Sequence, residues 1–279
     1  MNLNLMMAGL LFMQMFIVPS ISMAQKEKSI LKEPLNKLPA VTKNKNHLKY
    51  RMTAVYTNRD LYGNFLNKTK VSGDYTRGLE NGTVKWNEIY ISASNNFSDP
   101  FPAGTKQEYM ENFSYVPSDK MLDTGAFKDF PATTMSVFAK NLVWDMMTIE
   151  GFAWEYTDSL QLNRIYRIPE SSGEFDMAGI GTYAHAEIQL CRTGISEMKG
   201  ESCALIEYRA IDNKLELAMP GFSSKGTEQY WGTIWVSLKT GAIEYAVMYG
   251  GTVQEINATG MPNKFIVKTI RELWVEKIK

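Results

Sequence analysis

Side chains that could do chemistry cluster between Tyr183 and Ala210, YAHAEIQLCRTGISEMKGESCALIEYRA, where His185, Glu187, Glu207 and Arg209 stand near Cys191 and Cys203, the two cysteines of the chain. Set as an antiparallel hairpin with Cys191 opposite Cys203, the segment puts Ala184, Ala186, Ile188 and Leu190 on one face against Ala210, Tyr208, Ile206 and Ala204, because strand side chains alternate. The other face then carries Glu187 opposite Glu207 and His185 opposite Arg209. Three chemistries fit that constellation. It is a balanced solvated face in which Arg209 offsets Glu187 and His185 offsets Glu207, or a polar floor inside a curled sheet that orients a ligand. The third is a catalytic carboxyl pair, Glu187 and Glu207, acting as acid and nucleophile with His185 alongside.

Elsewhere the chemical motifs are missing. There is no G-x-S-x-G, P-loop, G-x-G-x-x-G, H-E-x-x-H or C-x-x-C sequence, which removes the signatures of common hydrolases, nucleotide binders and zinc sites. With two histidines and two cysteines the chain has too few ligands for an ordinary His/Cys metal site, so neither a metal nor a cofactor is expected. Thirty basic residues cancel thirty acidic ones, and no cationic footprint points to nucleic acid.

Residues 1–24 carry no charged side chain and hold an apolar run from Leu5 to Val18, followed by Pro19 and Ser22-Met23-Ala24. About fourteen apolar residues are short of the roughly 20 that a membrane-spanning helix needs, so the segment reads as a secretory signal peptide cleaved after Ala24. The mature chain is then periplasmic or extracellular and has no later transmembrane segment. In an exported chain, Cys191 and Cys203 are expected to form a disulfide.

The elements that must position these residues are mostly strands. Residues 25–48, rich in lysine and holding Pro34 and Pro39, read as a linker or arm, and 49–279 as a single β-rich domain. Tyr50, Met52, Ala54 and Tyr56 alternate with Arg51, Thr53 and Val55. Asn81-Gly82 supplies the positive φ angles of a tight hairpin. Val84 and Trp86 fall out of phase with Ile89 and Ile91, which predicts a bulge near Asn87 and Glu88. Residues 93–132 form a long irregular segment rich in proline and aromatics. One helix follows over about 134–150, with Met135, Phe138, Leu142, Met146 and Ile149 as its apolar stripe and the carboxylates Asp145 and Glu150 at the stripe's edges. The strands around Thr240-Gly241 admit two registers. A glycine bulge, which pairs Trp235 with Tyr245 and Trp231 with Tyr249, suits threonine better than a two-residue turn. The last segment is strand-like from Phe265 to Ile270, with a helical end allowed by Ile270 and Trp274 four residues apart.

The fold class expected is therefore mainly β (α+β): a strongly bent antiparallel sheet or partial barrel with one principal helix packed on it. That architecture resembles the periplasmic lipoprotein-carrier type, in which a curled sheet and a helical lid enclose an acyl chain. Over residues 49–279 the resemblance implies that Trp231, Trp235, Tyr245 and Met248 line an apolar cavity covered by Trp144 and Met147 of the helix. The function expected first is a non-enzymatic exported binding protein for an apolar or amphipathic ligand. Two alternatives stand beside it, a carbohydrate-active or other hydrolase using Glu187 and Glu207, and a surface protein that meets a partner through the aromatic loop at 97–115.

Overall fold

Strand β1 (Leu48–Asp60) buries Tyr50, Met52, Ala54 and Tyr56 and leaves the residues between them more exposed, as the alternation requires. The computed structural model describes residues 47–169, 172–260 and 263–278; the expected signal peptide and all but the end of the expected arm lie outside them. The described residues belong to one unit, Pro39–Lys279.

Beside β1 run β2 (Phe65–Arg77) and β3 (Val84–Ser94). Asn81 and Gly82 between them have φ of 55° and 75°. The expected bulge is at Glu88, with φ 54°, where the register with β2 shifts between Ser72 and Asp74. It brings Val84, Trp86, Ile89 and Ile91 all into the core. Residues 95–133 add two short strands on β3, β4 (Thr105–Lys106) and β5 (Phe113–Tyr115). Their aromatics form one cluster, in which Phe130 lies 4.8–5.0 Å from the rings of Tyr109, Phe113 and Phe127, and Phe127 lies 5.6 Å from Trp144.

Helix α1 (Thr134–Trp154) continues four residues past the expected end at 150. Gly151 does not stop it, because Phe152 and Ala153 are buried and tertiary packing outweighs the weak helix preference of one glycine. The buried face also differs from the expected stripe. Met135 is exposed, while Asp145 and Glu150 are buried alongside Leu142, Met146 and Ile149.

The remaining strands are β6 (Ile165–Arg167), β7 (Gly173–Asp176), β8 (Gly181–His185), β9 (Glu187–Met198), β10 (Glu201–Met219), β11 (Phe222–Ser237), β12 (Ile243–Ala258) and β13 (Phe265–Ile278). The sheet runs β4-β3-β2-β1-β13-β12-β11-β10-β8-β7, with β9 also on β10 and β6 on β9. Its ends at β4 and β7 do not pair, so the large curved antiparallel sheet stays open among the described residues. The glycine-bulge register is present, Trp235 opposite Tyr245 and Trp231 opposite Tyr249. β13 is strand to Ile278. Arg271, Leu273 and Val275 are buried in alternation, and that period of two overrides the four-residue spacing of Ile270 and Trp274.

The β9/β10 hairpin forms, but out of the expected register, by five positions next to the turn and by four beyond a bulge between Leu205 and Ile206. Cys191 faces Glu207, Cys203 faces Ser196 and Glu187 faces Ile211. The reason is the turn. Lys199 and Gly200, with φ of 53° and 83°, make a two-residue loop between the paired Met198 and Glu201. The bulge between Leu205 and Ile206 turns the odd slip set by the turn into an even one, which preserves which side chains share a face, so Ile188, Leu190, Ile206 and Tyr208 are all buried as expected, each beside a different partner. The disulfide is overturned. Both cysteines are free, and four strand positions separate them by about 13 Å, beyond the ~7 Å limit between bridged Cα atoms. The carboxyl pair is overturned with it, since Glu187 and Glu207 do not face each other.

Candidate functional site

Where α1 crosses the sheet it leaves a cleft of about 390 Å³, reached by side chains of α1, β8, β9, β11, β12 and β13. Its apolar lining includes Trp144, Met147, Phe152, Met177, Ile188 and Met248. Its floor is ionic. Arg271 Nη1 lies 3.1 Å from Asp145 Oδ1 on the helix, Nη2 lies 4.0 Å from Glu228 Oε1 on β11, and Nη2 also donates to Met248 Sδ at 2.9 Å. Tyr183 donates its hydroxyl proton to Glu228 Oε2 at 2.7 Å. Alternation places these groups together, since Glu228, Met248 and Arg271 lie on the face of their strands that also buries Tyr230, Ala246 and Leu273.

His185 reaches the same cleft through a local irregularity. The bend at Ala186 between β8 and β9 breaks the alternation, so His185 lines the cleft and so does Ile188. Opposite, Ile211 and Asp212 (φ 57°) form a bulge in β10 that turns Asn213 inward, and His185 Nδ1 lies 3.3 Å from Asn213 Oδ1. The His185 ring packs edge-on to Tyr183 at 4.9 Å and beside Phe175 at 5.6 Å.

Burial sets the electrostatics. It pushes the Asp145 carboxyl up to about 6 against the opposing pull of Arg271. Burial also lowers the His185 imidazole below its ordinary value, although Asn213 and Glu228 act the other way, and it raises the Tyr183 phenol, reinforced by Glu228. For Arg271 burial acts to lower the value, but Asp145 and Glu228 outweigh it and hold the guanidinium charged. A second ion pair ties α1 to the sheet: Arg77 Nη1 lies 3.2 Å from Glu150 Oε1, and its guanidinium stacks 3.9 Å over Trp154. Burial pushes Glu150 up to about 7.

Of the expected site residues, Trp144, Met147, Met248 and His185 line this cleft. Trp231, Trp235 and Tyr245 point from the opposite face of the sheet, because odd-numbered positions of β11 and β12 turn away from Met248 and Ala246. Glu187 accepts from Gln189, which lowers its carboxyl most, and from Arg167 Nε at 3.2 Å, which adds to that; Glu207 is exposed on the same outer side. The sequence reading missed Glu228, Arg271, Tyr183 and Asn213. Their only local signal is a polar residue at a position whose neighbours two away are apolar. Among the described residues no group of three or more His, Cys, Asp or Glu is placed to hold a metal. The floor can accept and donate hydrogen bonds, and Asp145 can change protonation near neutral pH.

No family model matches the sequence, and no curated protein matches it. Among solved structures the chain is similar to lipovitellin, from work on its lipid–protein interactions, with a TM-score of 0.47 and 12% identity over 84% of this chain and 25% of that one. The chain thus spans about a quarter of that protein's length. It is also similar to a DUF1329 family protein from Desulfovibrio piger, with a TM-score of 0.15 and 7% identity over 82% of this chain and 85% of that one. At these scores the site stands on its own geometry.

Proposed function

We propose that the chain is an exported, non-enzymatic binding protein that holds a small amphipathic molecule in the cleft between α1 and the sheet. The observation that carries this is the division of the cleft, an apolar wall of Trp144, Met147, Phe152 and Met248 above the Arg271–Asp145–Glu228 floor. Buried ion clusters stabilise a fold less than apolar residues of the same volume would. Their presence under an apolar opening is accounted for by recognition of a polar group at the end of an apolar body. Arg271 itself is among the residues that line the cleft, so its charge lies at the base of the apolar opening. The volume suits a compact ligand at the small end of the usual range of about 300–1,000 Å³. Residues 1–24 would direct export.

Native mass spectrometry of the protein purified from its own host, before and after organic extraction, tests the proposal together with titration by Nile red. An extractable adduct and saturable Nile red binding are expected. Met147→Trp and Thr148→Trp, which fill the cleft from half-buried helix positions, should each weaken dye binding at least tenfold while the thermal midpoint stays close to the parent's. No adduct and no saturable dye binding, or dye binding indifferent to both substitutions, would overturn it.

A further inference from the structure

The face of the sheet turned away from α1 carries aromatic residues in cross-strand pairs. Trp231 stands opposite Tyr249 and Trp235 opposite Tyr245. The first pair has ring centres 6.3 Å apart at 32°, the second 5.4 Å apart at 58°. Trp231 is 47% exposed and Tyr249 38%, a large apolar area to leave in water on a sheet face. These two rings wall a groove of about 590 Å³ that is bounded also by Ile165 of β6 and lined by Gln189, Glu207, Arg209 and Thr233. The polar lining is already ordered: Arg209 Nε donates to Gln189 Oε1 at 2.6 Å, and Gln189 donates to Glu187.

We propose that this groove binds a neutral oligosaccharide, with sugar rings stacked on Trp231 and Tyr249 and their hydroxyls held by Glu207, Arg209 and Thr233. A pyranose presents an apolar C–H face and a polar rim of hydroxyls, which is the same division the groove shows. The negative face of an aromatic ring attracts the C–H groups. A carboxylate and a guanidinium each offer two parallel hydrogen-bonding positions to vicinal hydroxyls. Charge around the groove is paired off. Glu276 lies 3.5 Å from Lys199 and Glu187 3.2 Å from Arg167, so among the described residues no unbalanced cationic surface is present to draw a nucleic acid or an anionic polysaccharide. An acyl chain would need an enclosed apolar volume, whereas this groove is open and rimmed by charge. The site is separate from the cleft under α1 and does not depend on it.

Affinity electrophoresis of the full chain in native gels containing soluble starch, barley β-glucan, hydroxyethyl cellulose or galactomannan tests the proposal, followed by calorimetry with a hexasaccharide of the retarding polymer. Retardation by at least one neutral polymer is expected. Trp231→Ala and Tyr249→Ala should each weaken hexasaccharide binding about tenfold or more, while Tyr62→Ala, an exposed aromatic in the β1–β2 turn, leaves it unchanged. Circular dichroism shows whether each variant is folded. Four outcomes would overturn it: no retardation by any of the four polymers, binding that both groove variants retain, retention by dextran sulfate alone, or a dimer in sedimentation that Trp231→Ala dissolves.

Discussion

Arg271 pairs with the buried Asp145 and the part-buried Glu228 at the floor of the cleft, and its removal would leave both without their cation. Arg271→Met is expected to destabilise the protein by about 3–5 kcal/mol in chemical denaturation. Adding Asp145→Leu should recover part of that loss, since one stranded charge is then gone. Glu150 gives a pH-dependent prediction. Its folded carboxyl, near 7, lies above the ordinary 4.5, so the folded state binds more protons than the unfolded one between those values, and the stability that Glu150 supports is lost as pH rises through that window. Relative to the parent, Glu150→Gln should therefore gain on the order of 5 °C in thermal midpoint between pH 5 and 8; an unchanging gap would refute the buried, elevated carboxyl. His185 acts in the opposite direction, being held neutral, but it is common to both proteins and cancels in the comparison. The cysteines give a third test. Ellman's reagent under denaturing, non-reducing conditions should titrate both thiols, and in the folded protein Cys203, buried and pushed up to about 12, should react far more slowly than the part-exposed Cys191.

At the scale of elements, the sheet depends on close approaches that alternation alone does not reveal. Tyr208 lies across Gly232 of the neighbouring strand and donates to Val247 O at 2.9 Å on the strand beyond. A Cβ at position 232 would meet the Val247 carbonyl oxygen and, 2.5 Å away, the Tyr208 hydroxyl. A Cβ at Gly73 would meet mainly the end of the Ile89 side chain, which can rotate. Gly232→Ala should therefore cost at least about 2 kcal/mol and Gly73→Ala clearly less, as urea midpoints will show; equal losses would contradict the packing. The hairpin β9/β10 shows how far such details were legible. The apolar faces followed from period two. The register did not, because every even slip keeps Ile188, Leu190, Ile206 and Tyr208 inward, and the choice rested on the Lys199-Gly200 turn together with the bulge between Leu205 and Ile206. His185 was misplaced for a related reason, since one irregular residue at Ala186 exchanges the two faces.

Across the whole molecule, β1, β13, β12 and β11 are flanked on both sides, while β4 and β7 end the sheet as strands of two and four residues. Short edges limit edge-to-edge pairing, and they should also open first. Hydrogen exchange is expected to show the slowest amides in β1, β12 and β13 and the fastest strand amides in β4 and β7; a uniform profile would contradict this. The amino-acid sequence by itself determined the strand-rich class, the single helix, the Asn81-Gly82 turn, the bulge at Glu88 and the inward faces of the strands, because each follows from local periodicity or backbone preference. Only the tertiary structure decided that the cysteines stay apart, that Trp231, Trp235 and Tyr245 look away from Trp144, and that Asp145 is buried on Arg271. Asp145 and its partner are 126 residues apart in the chain. A charge at the edge of an apolar stripe is exposed or buried according to what distant strand the fold brings against it, and no local pattern carries that information.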